Sequence, residues 1–299
     1  MHQDLAAGLE AVVGAPVGEL QRLSGGASRE TWAFDAGGRA LILQRQRPGA
    51  GAAAVSMGAE VAVLRAAADA GVPVPAVVAD ATDGVALGAP AFVVERLPGE
   101  TIARRLLRDE AYAAVRPTVA ARCGAILAAI HRIDPTRVDG LAEIDPVASA
   151  RDTLASVGEA LGESHPAFEL ALRWLERNRP PSAGRTVVHG DFRTGNLLID
   201  ESQVVAVLDW ELAHVSDPLE DLGWFCVRAW RFGRVDRPAG GFGSREELWS
   251  AYEAAGGAPV DPDAARWWEL YGTLRWGVIC IMQAASHWLG LARSMELAA

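Results

Sequence analysis

Short runs in which apolar and polar residues alternate dominate the first hundred residues of the chain. Residues 18–47 alternate in this way and are interrupted at Gly37-Gly38, a pattern that predicts a small antiparallel sheet with a tight turn. Apolar residues at helical spacing predict a helix over residues 57–70, and two further runs, 76–79 and 91–95, indicate strands. We therefore expect a small β-rich part that ends near residue 97.

The remainder of the chain has a predominantly helical pattern. Residues 101–132 and 147–178 are rich in Ala and Leu at helical spacing, and helical spacing returns from residue 221. Between these segments lies one β-like stretch, residues 186–210, whose two apolar runs flank a polar loop. The pattern predicts an α+β protein with a sheet region and hinge at residues 1–97 and a larger helical region at residues 98–299.

Composition and charge exclude several classes of protein. The chain has 299 residues, half of them hydrophobic, which is enough for a sizeable core and excludes a disordered or fibrous protein. Its formal charge of -10 leaves no broad cationic surface, so we expect no nucleic-acid partner. All 28 basic residues are Arg, which excludes chemistry on a lysine amine, including Schiff-base catalysis and the usual P-loop.

Cysteine spacing and the lengths of the apolar runs bear on the location of the protein. Cys123, Cys226 and Cys280 are far apart, which predicts reduced thiols and no disulfide framework. The first residues have no basic segment typical of a signal peptide, and the apolar runs are too short to cross a bilayer. These patterns predict a cytoplasmic protein with no membrane partner, and they leave its oligomeric state open.

The polar loop contains the most informative residues of the sequence. His189, Asp191 and Asn196 form an HxDxxxxN motif, and Asp209 follows an apolar run. Phosphoryl transfer needs a group that holds the attacking hydroxyl in line, oxygen ligands for Mg²⁺ and cations on the phosphates. Asp191 suits the first task. Asn196 and Asp209 offer the amide and carboxylate oxygens that Mg²⁺ accepts.

The segments VVHGDFRTGNLLID and VVAVLDWELAHVSDPLEDLGW resemble the aminoglycoside phosphotransferase family, which has the protein-kinase-like fold. Within it, the tail of the chain resembles the branch that includes kinase-like domains fused to acyl-CoA dehydrogenases. The resemblance implies a two-lobe fold, with Asp191 as the catalytic base and Asn196 and Asp209 as metal ligands. It also implies that His189 has a structural role in its loop, and that Asp217 and Asp221 tie the loop and cap a helix.

The same resemblance implies a site for ATP or GTP in the N-terminal part. Ser24, Gly25 and Gly26 resemble the hairpin that covers the nucleotide, and the segment that ends in Glu95 resembles the hinge beside the base. Kinase-like folds usually pair a strand lysine with a helix glutamate, here expected to be Glu60. The position of the lysine holds Gln44, with Arg45 next to it. Which of these two side chains pairs with Glu60 stays open, because successive strand residues face opposite sides of the sheet.

Three further sets of candidate residues lie in or after the motif. Arg193, two residues after Asp191, is a candidate for gripping the transferred phosphate and for replacing the missing lysine. Glu211 is close enough in sequence to Asp209 to approach the metal or the acceptor. The aromatic residues Trp224, Phe225, Trp230 and Phe232 lie where the family builds part of its acceptor pocket, although aromatic clusters at helical spacing usually pack in a core.

Three functions compete at this point. The first, which we favour, is an ATP- or GTP-dependent, Mg²⁺-requiring kinase that phosphorylates a hydroxyl of a small molecule. The second is a nucleotide-binding protein with little or no catalysis, suggested by the missing lysine and by Gln44. The third is a metal hydrolase that uses His189, Asp191 and Asp209, although a second clustered His is lacking. The acceptor stays open among a hydroxy acid, a hydroxyacyl thioester and an aminoglycoside-like molecule.

Overall fold

The computed structural model describes residues 2–23, 29–47 and 55–291. The predicted nucleotide-covering residues Ser24, Gly25 and Gly26 lie outside the described residues. Within them the chain has a small antiparallel sheet lobe followed by a larger, mainly helical lobe, so the predicted α+β two-lobe architecture is confirmed. The last strand of the sheet ends at Glu95 and the next helix begins at Ala103, and the predicted boundary at residue 97 falls between them.

The N-terminal lobe is a five-stranded antiparallel sheet with one helix packed on each face. Its elements are α1 (His2–Val13), β1 (Gln21–Arg22), β2 (Arg29–Ala36), β3 (Arg39–Gln46), α2 (Met57–Asp69), β4 (Val77–Ala81) and β5 (Ala91–Glu95), with strand order β1-β2-β3-β5-β4. The turn between β2 and β3 places Gly37 and Gly38 at positive φ, 58° and 77°, as a tight hairpin turn requires.

Alternation along β2 and β3 divides the sheet into two faces. Trp32, Phe34, Leu41 and Leu43 are buried on the outer face, in a cluster with Leu9 of α1, a helix that the hydrophobic pattern did not predict. The inner face turns toward α2 and the helical lobe. Helix α2 begins where the spacing predicts, because the Ser56 side chain accepts a hydrogen bond from Ala59 N at 3.1 Å.

In the described residues the C-terminal lobe contains seven α-helices and two short two-stranded antiparallel sheets. Its elements are α3 (Ala103–Arg108), α4 (Val119–His131), α5 (Pro146–Leu161), α6 (Pro166–Arg177), β6 (Thr186–Val188), β7 (Leu197–Ile199), β8 (Val204–Val207), β9 (His214–Ser216), α7 (Leu219–Phe225), α8 (Arg245–Ala254) and α9 (Pro262–Trp288). No helix in the described ranges combines the length and apolarity that crossing a bilayer requires.

Both long helical segments of the prediction are interrupted. Residues 101–132 form α3 and α4 with two short 3-10 turns between them, and Pro117, which has no amide hydrogen to donate, lies in the second turn. Residues 147–178 split at Gly162, which ends α5 with a left-handed φ of 67°, and α6 begins at Pro166. Ala and Leu periodicity predicted the helical state but not these breaks.

The predicted β-like stretch forms the β7–β8 hairpin and one strand of a second two-stranded antiparallel sheet. Strand β7 pairs with β8, whereas β6 pairs with β9, which lies beyond the predicted stretch. A bridge between Glu100 and Ile199 joins β7 to the segment that follows the hinge. The ends of β6 and β8 therefore meet below the sheet lobe, and the polar residues that follow these two strands come together there.

Candidate active site

The loop after β6 is held by a buried carboxylate. Asp221, at the start of α7 and fully buried, accepts hydrogen bonds from His189 N at 2.7 Å and from Gly190 N at 2.9 Å. Burial raises the pKa of Asp221, but its hydrogen bond and charge interaction with His131 outweigh burial and the net shift is downward. Asp221 thus ties the loop as expected, and Asp217 caps α7 by accepting from Leu219 N at 2.9 Å.

His189 has a structural position in this loop. Its side chain is fully buried, Nδ1 accepts from Asp191 N at 3.1 Å, and Nε2 donates to Leu208 O at 3.0 Å. Burial lowers the pKa of His189, which keeps the imidazole neutral. Both ring nitrogens are therefore engaged with the backbone, and His189 joins the loop of Asp191 to the end of β8.

The Asp191 carboxylate is oriented by three side-chain donors. Trp224 Nε1 donates to Oδ1 at 2.9 Å, Asn196 Nδ2 donates to Oδ2 at 2.8 Å, and Arg193 Nε donates to Oδ2 at 3.1 Å. The Asp191 side chain is only 14% exposed. A carboxylate fixed in this way can present one orientation to a hydroxyl group that approaches from the cleft.

Sequence reasoning missed the role of Trp224, which it treated as an acceptor-pocket or core residue. Trp224 is buried in a cluster with Trp230, and its ring also lies under the Arg275 guanidinium, 4.7 Å from the ring centroid. Arg275, on α9, donates to Gly190 O at 2.8 Å. Phe225 and Trp230 are buried as well, whereas Phe232 is exposed. Sequence alone offered no signal, because a core Trp and one that donates to a carboxylate look alike.

Asn196 contacts Asp191 directly, and Asp209 lies close enough to interact with its charge. Asn196 donates Nδ2 to Asp191, which turns its amide oxygen away from that carboxylate, and its backbone oxygen accepts from Leu208 N at 2.9 Å. Asp209 follows β8 in the left-handed region with a φ of 66°. Burial first, and then the negative charges of Glu211 and Asp191, raise the pKa of Asp209 to about 6.

This donor set suits Mg²⁺. One amide oxygen and one carboxylate provide hard ligands and leave the remaining positions to phosphate and water oxygens. A zinc-hydrolase arrangement is not favoured, since no group of three or more His, Cys, Asp or Glu side chains at metal-binding spacing is found in the described ranges.

A cleft of about 480 Å³ separates the two lobes. Its upper wall comes from the inner face of the sheet and its lower wall from β7 and β8, with apolar side chains on both sides: Ile42, Phe92, Val94, Leu198 and Val207. Asn196 and Asp209 line the same cleft. Two apolar walls with a polar end offer a place for a flat ring and for phosphates, respectively.

Gln44 and Arg45 face opposite sides of the sheet, as the period of two requires. Gln44 lines the cleft, whereas Arg45 pairs with Glu30 Oε2 at 3.0 Å and donates to Leu87 O at 2.9 Å. The structure therefore places Arg45 away from the cleft, contrary to its inclusion among the candidate cofactor residues. Strand β3 is not bulged here, because Gln44 and Arg45 pair in regular register with Thr31 and Glu30.

Neither candidate pairs with Glu60, and Arg29 does so instead. Arg29 Nη1 lies 2.6 Å from Glu60 Oε2 and donates to Gln44 Oε1 at 3.1 Å, while Arg29 Nε lies 3.3 Å from Glu211 Oε2. Arg193, the other proposed substitute, engages Asp191 and lies over Trp230 at 5.1 Å. Arg29 was not predicted, because its contact with Glu60 depends on the packing of β2 against α2.

Glu95, the predicted hinge residue, lines the cleft and pairs with Arg39 at 3.0 Å. Its backbone nitrogen donates to Ala76 O at 3.0 Å, which joins the hinge to the segment before β4. The carboxylate of Glu95 is 39% exposed, so it lies at the mouth of the cleft and not at its polar end.

Replacement of Glu60 by Gln is expected to remove a pH dependence of stability. Burial is the main reason why the pKa of Glu60 is raised to about 7. The charge of Arg29 opposes this rise, and the charges of Asp209 and Glu211 add to it. Because the folded pKa exceeds the unfolded one, this contribution to stability is complete below the unfolded pKa and is lost as pH rises through about 7.

The measurement is urea unfolding without nucleotide or Mg²⁺ between pH 5 and 8. The free energy of unfolding of the wild type should fall relative to Glu60→Gln by up to roughly 3 kcal/mol over this range. The variant also removes the ion-pair partner of Arg29. This loss changes the difference in unfolding free energy between wild type and variant by the same amount at every pH, so the slope of that difference against pH is unaffected. A difference that stays flat with pH would contradict the assignment.

Comparison with known proteins agrees with this geometry. The chain is 30% identical over 220 residues to acyl-CoA dehydrogenase family member 10 of Mus musculus, a match that covers 70% of this chain and 20% of that protein. The chain thus spans about a fifth of the length of this relative. This similarity confirms the predicted relation to kinase-like domains of the acyl-CoA dehydrogenase branch.

Solved structures share the fold over almost the whole chain. A Ralstonia eutropha protein assigned to the aminoglycoside phosphotransferases superposes with a TM-score of 0.76 at 22% identity, covering 100% of this chain and 93% of that one. Spectinomycin phosphotransferase in complex with ADP and spectinomycin gives a TM-score of 0.67 at 14% identity, covering 98% and 89%. At these identities the likeness concerns the fold alone, and it confirms the kinase-like two-lobe class. The profile of the Phosphotransferase enzyme family (APH) matches residues 19–258, well over half of the sequence, and the chain belongs to this family.

Proposed function

We propose that the chain is an ATP- or GTP-dependent, Mg²⁺-requiring phosphotransferase that phosphorylates a hydroxyl group of a small molecule. The observation that carries the proposal is the Asp191 carboxylate, which three donors hold, one of them Asn196, a residue that lines the polar end of the cleft together with Asp209. Phosphoryl transfer depends mainly on positioning and charge, and this arrangement supplies both. We assign the reaction to the cytoplasm, where ATP and Mg²⁺ are available.

In this proposal Asp191 accepts a hydrogen bond from the acceptor hydroxyl and aligns its oxygen with the γ-phosphorus. The new oxygen–phosphorus bond forms while the bond from the γ-phosphorus to the β–γ bridging oxygen breaks, and Asp191 takes the hydroxyl proton late. Asn196 and Asp209 would hold Mg²⁺, whose charge offsets that of the phosphates. Arg193 contacts Asp191 through Nε, so its terminal nitrogens are the ones assigned to oxygens of the transferred group.

Gln44 motivates the second candidate, a nucleotide-binding protein with little or no catalysis. Gln44 lies in the cleft where kinase-like folds usually have a lysine, and it brings no positive charge. A non-catalytic protein would still be stabilised by Mg²⁺-nucleotide but would form no phosphorylated product. The complete set of Asp191, Asn196 and Asp209 favours the catalytic function.

The acceptor is proposed from the relatives. Spectinomycin phosphotransferase was solved with spectinomycin, whereas the curated relative is an acyl-CoA dehydrogenase family member. Sequence similarity to the latter is higher, so we favour a hydroxy acid or a hydroxyacyl thioester over an aminoglycoside-like molecule. A metabolic role is therefore proposed ahead of antibiotic resistance.

The test is a screen of these three acceptor classes for acceptor-dependent release of ADP or GDP, followed by mass analysis of the acceptor. A product heavier by one phosphoryl group, formed only with Mg²⁺, is the expected result. Thermal stabilisation by Mg²⁺-nucleotide with no product from any class would favour the second candidate. Absence of both stabilisation and product would overturn the proposal.

A further inference from the structure

Arg29 is the first residue of strand β2 and lies at the polar end of the cleft. Two basic side chains, Arg29 and Arg96, line this cleft in the described part of the chain. Arg96 adjoins the hinge, its side chain is 43% exposed, and it lies 3.7 Å from Asp35. Arg29 is only 7% exposed and lies among the acidic residues near the metal ligands. Of these two arginines, Arg29 is the one placed to meet phosphates.

The buried guanidinium of Arg29 is held in place but is only partly satisfied. Nη1 contacts Glu60 and Gln44, and Nε contacts Glu211, as described above. Nη2 is buried and has no hydrogen-bond partner among the residues that the structure describes. A buried charged donor without an acceptor is costly, by about 1–3 kcal/mol or more, so native proteins rarely retain one. The geometry suits an acceptor that comes from outside the protein.

The surrounding charges restrict what that acceptor can be. Glu60 and Glu211 hold Arg29 from two sides, and Asp209 is close enough for Arg29 to lower its pKa. An anionic ligand would be repelled by these three carboxylates unless a cation faced it directly. Arg29 provides that cation, and its planar guanidinium matches the oxygens of a phosphate group.

Resting on the function proposed above, we propose that Arg29 of β2 grips the α- or β-phosphate of the nucleotide through Nη2. It takes over the charge that kinase-like folds usually supply from a β3 lysine, and Glu60 and Gln44 hold its guanidinium in position. The helix glutamate keeps its usual task, but its partner comes from the neighbouring strand. Gln44 is then explained as well, because an amide oxygen there accepts from Arg29 where a second cation would repel it.

The test compares ligands that differ in phosphate content. Arg29→Gln should weaken binding of Mg²⁺-ATP roughly 10- to 100-fold by calorimetry, the range for one or two charge-assisted hydrogen bonds. Binding of adenosine should change less than about twofold, because it has no phosphate. Arg65→Gln, the control, removes an exposed arginine of α2 that pairs with Asp80 and does not line the cleft, and it should leave the affinity for both ligands within about twofold.

A relocated charge separates phosphate binding from a role in stability alone. The double variant Arg29→Gln, Gln44→Arg returns a cation to the usual β3 position, where it can meet both Glu60 and a phosphate, and should recover most of the ATP affinity. If Arg29→Gln does not fold, Arg29→Lys keeps a cation beside Glu60 and should weaken ATP binding roughly 3- to 10-fold with adenosine unchanged.

Three results would overturn the inference. The first is an unchanged ATP affinity in Arg29→Gln, or in Arg29→Lys where only that variant folds. The second is an equal loss of ATP and adenosine affinity. The third is a folded double variant that recovers no ATP affinity. A wild type that binds neither ATP nor GTP would instead remove the proposed function itself, so the two failures are distinguishable.

Discussion

Asp191→Ala is expected to lower kcat by at least roughly 10³-fold while the affinity for Mg²⁺-nucleotide stays within about twofold. Three donors orient the Asp191 carboxylate, to which we assign the incoming hydroxyl, and alanine offers no acceptor for the hydroxyl proton. The measurement pairs steady-state rates on the acceptor found in the screen with calorimetric nucleotide binding.

The control for this variant is Asp152→Ala, which removes an exposed carboxylate on helix α5. It should leave both kcat and nucleotide affinity unchanged. Turnover by Asp191→Ala equal to that of the wild type would refute the assignment of the base. Loss of nucleotide binding in the same variant would indicate that Asp191 belongs to the metal site instead.

Asp209→Asn is expected to weaken both binding and transfer. The change removes the negative charge of Asp209, one of the two proposed Mg²⁺ ligands. We therefore expect kcat/KM to fall at least roughly 100-fold and the Mg²⁺ concentration required for activity to rise about tenfold or more. Asn is chosen because position 209 has a φ of 66°, a left-handed conformation that Asn adopts more readily than Ala. Rates and nucleotide affinity are measured as functions of Mg²⁺ concentration.

Asp209→Ala serves as the comparison for backbone strain. It should show the same rise in the Mg²⁺ requirement, together with a stability lower than that of Asp209→Asn by about 1 kcal/mol, because Ala is strained in the left-handed region. If Asp209→Asn binds Mg²⁺-nucleotide as tightly as the wild type does, Asp209 is not a ligand and the metal site has to be placed elsewhere in the cleft.

The sequence predicted the two-lobe fold and the polar loop for physical reasons. Alternation with a period of two predicts strands, helical spacing predicts helices, and the residue types at 191, 196 and 209 suit one chemistry at one spacing. The helix breaks were harder to predict, because Gly162 and Pro117 stop a helix only when the flanking turns form. Helix α1 was not predicted, although Leu9 is buried against the sheet.

Long-range contacts were beyond the reach of local patterns. The open choice between Gln44 and Arg45 is settled by strand register, which puts Gln44 on the cleft side and Arg45 on the other side. Neither residue answers Glu60, because Arg29 reaches it from the neighbouring strand. Trp224 was expected in the acceptor pocket or in the core, and its hydrogen bond to Asp191 follows from how α7 lies against the loop.

Helix α9 is connected to the Asp191 carboxylate through the side chain of Trp224. Arg275 of α9 lies over the Trp224 ring and holds the Gly190 carbonyl, and Trp224 in turn donates to Asp191. The orientation of the Asp191 carboxylate therefore depends on a helix that contributes no residue to the lining of the cleft in the described part of the chain. A displacement of α9 is thus expected to lower the turnover of the proposed reaction before it weakens nucleotide binding.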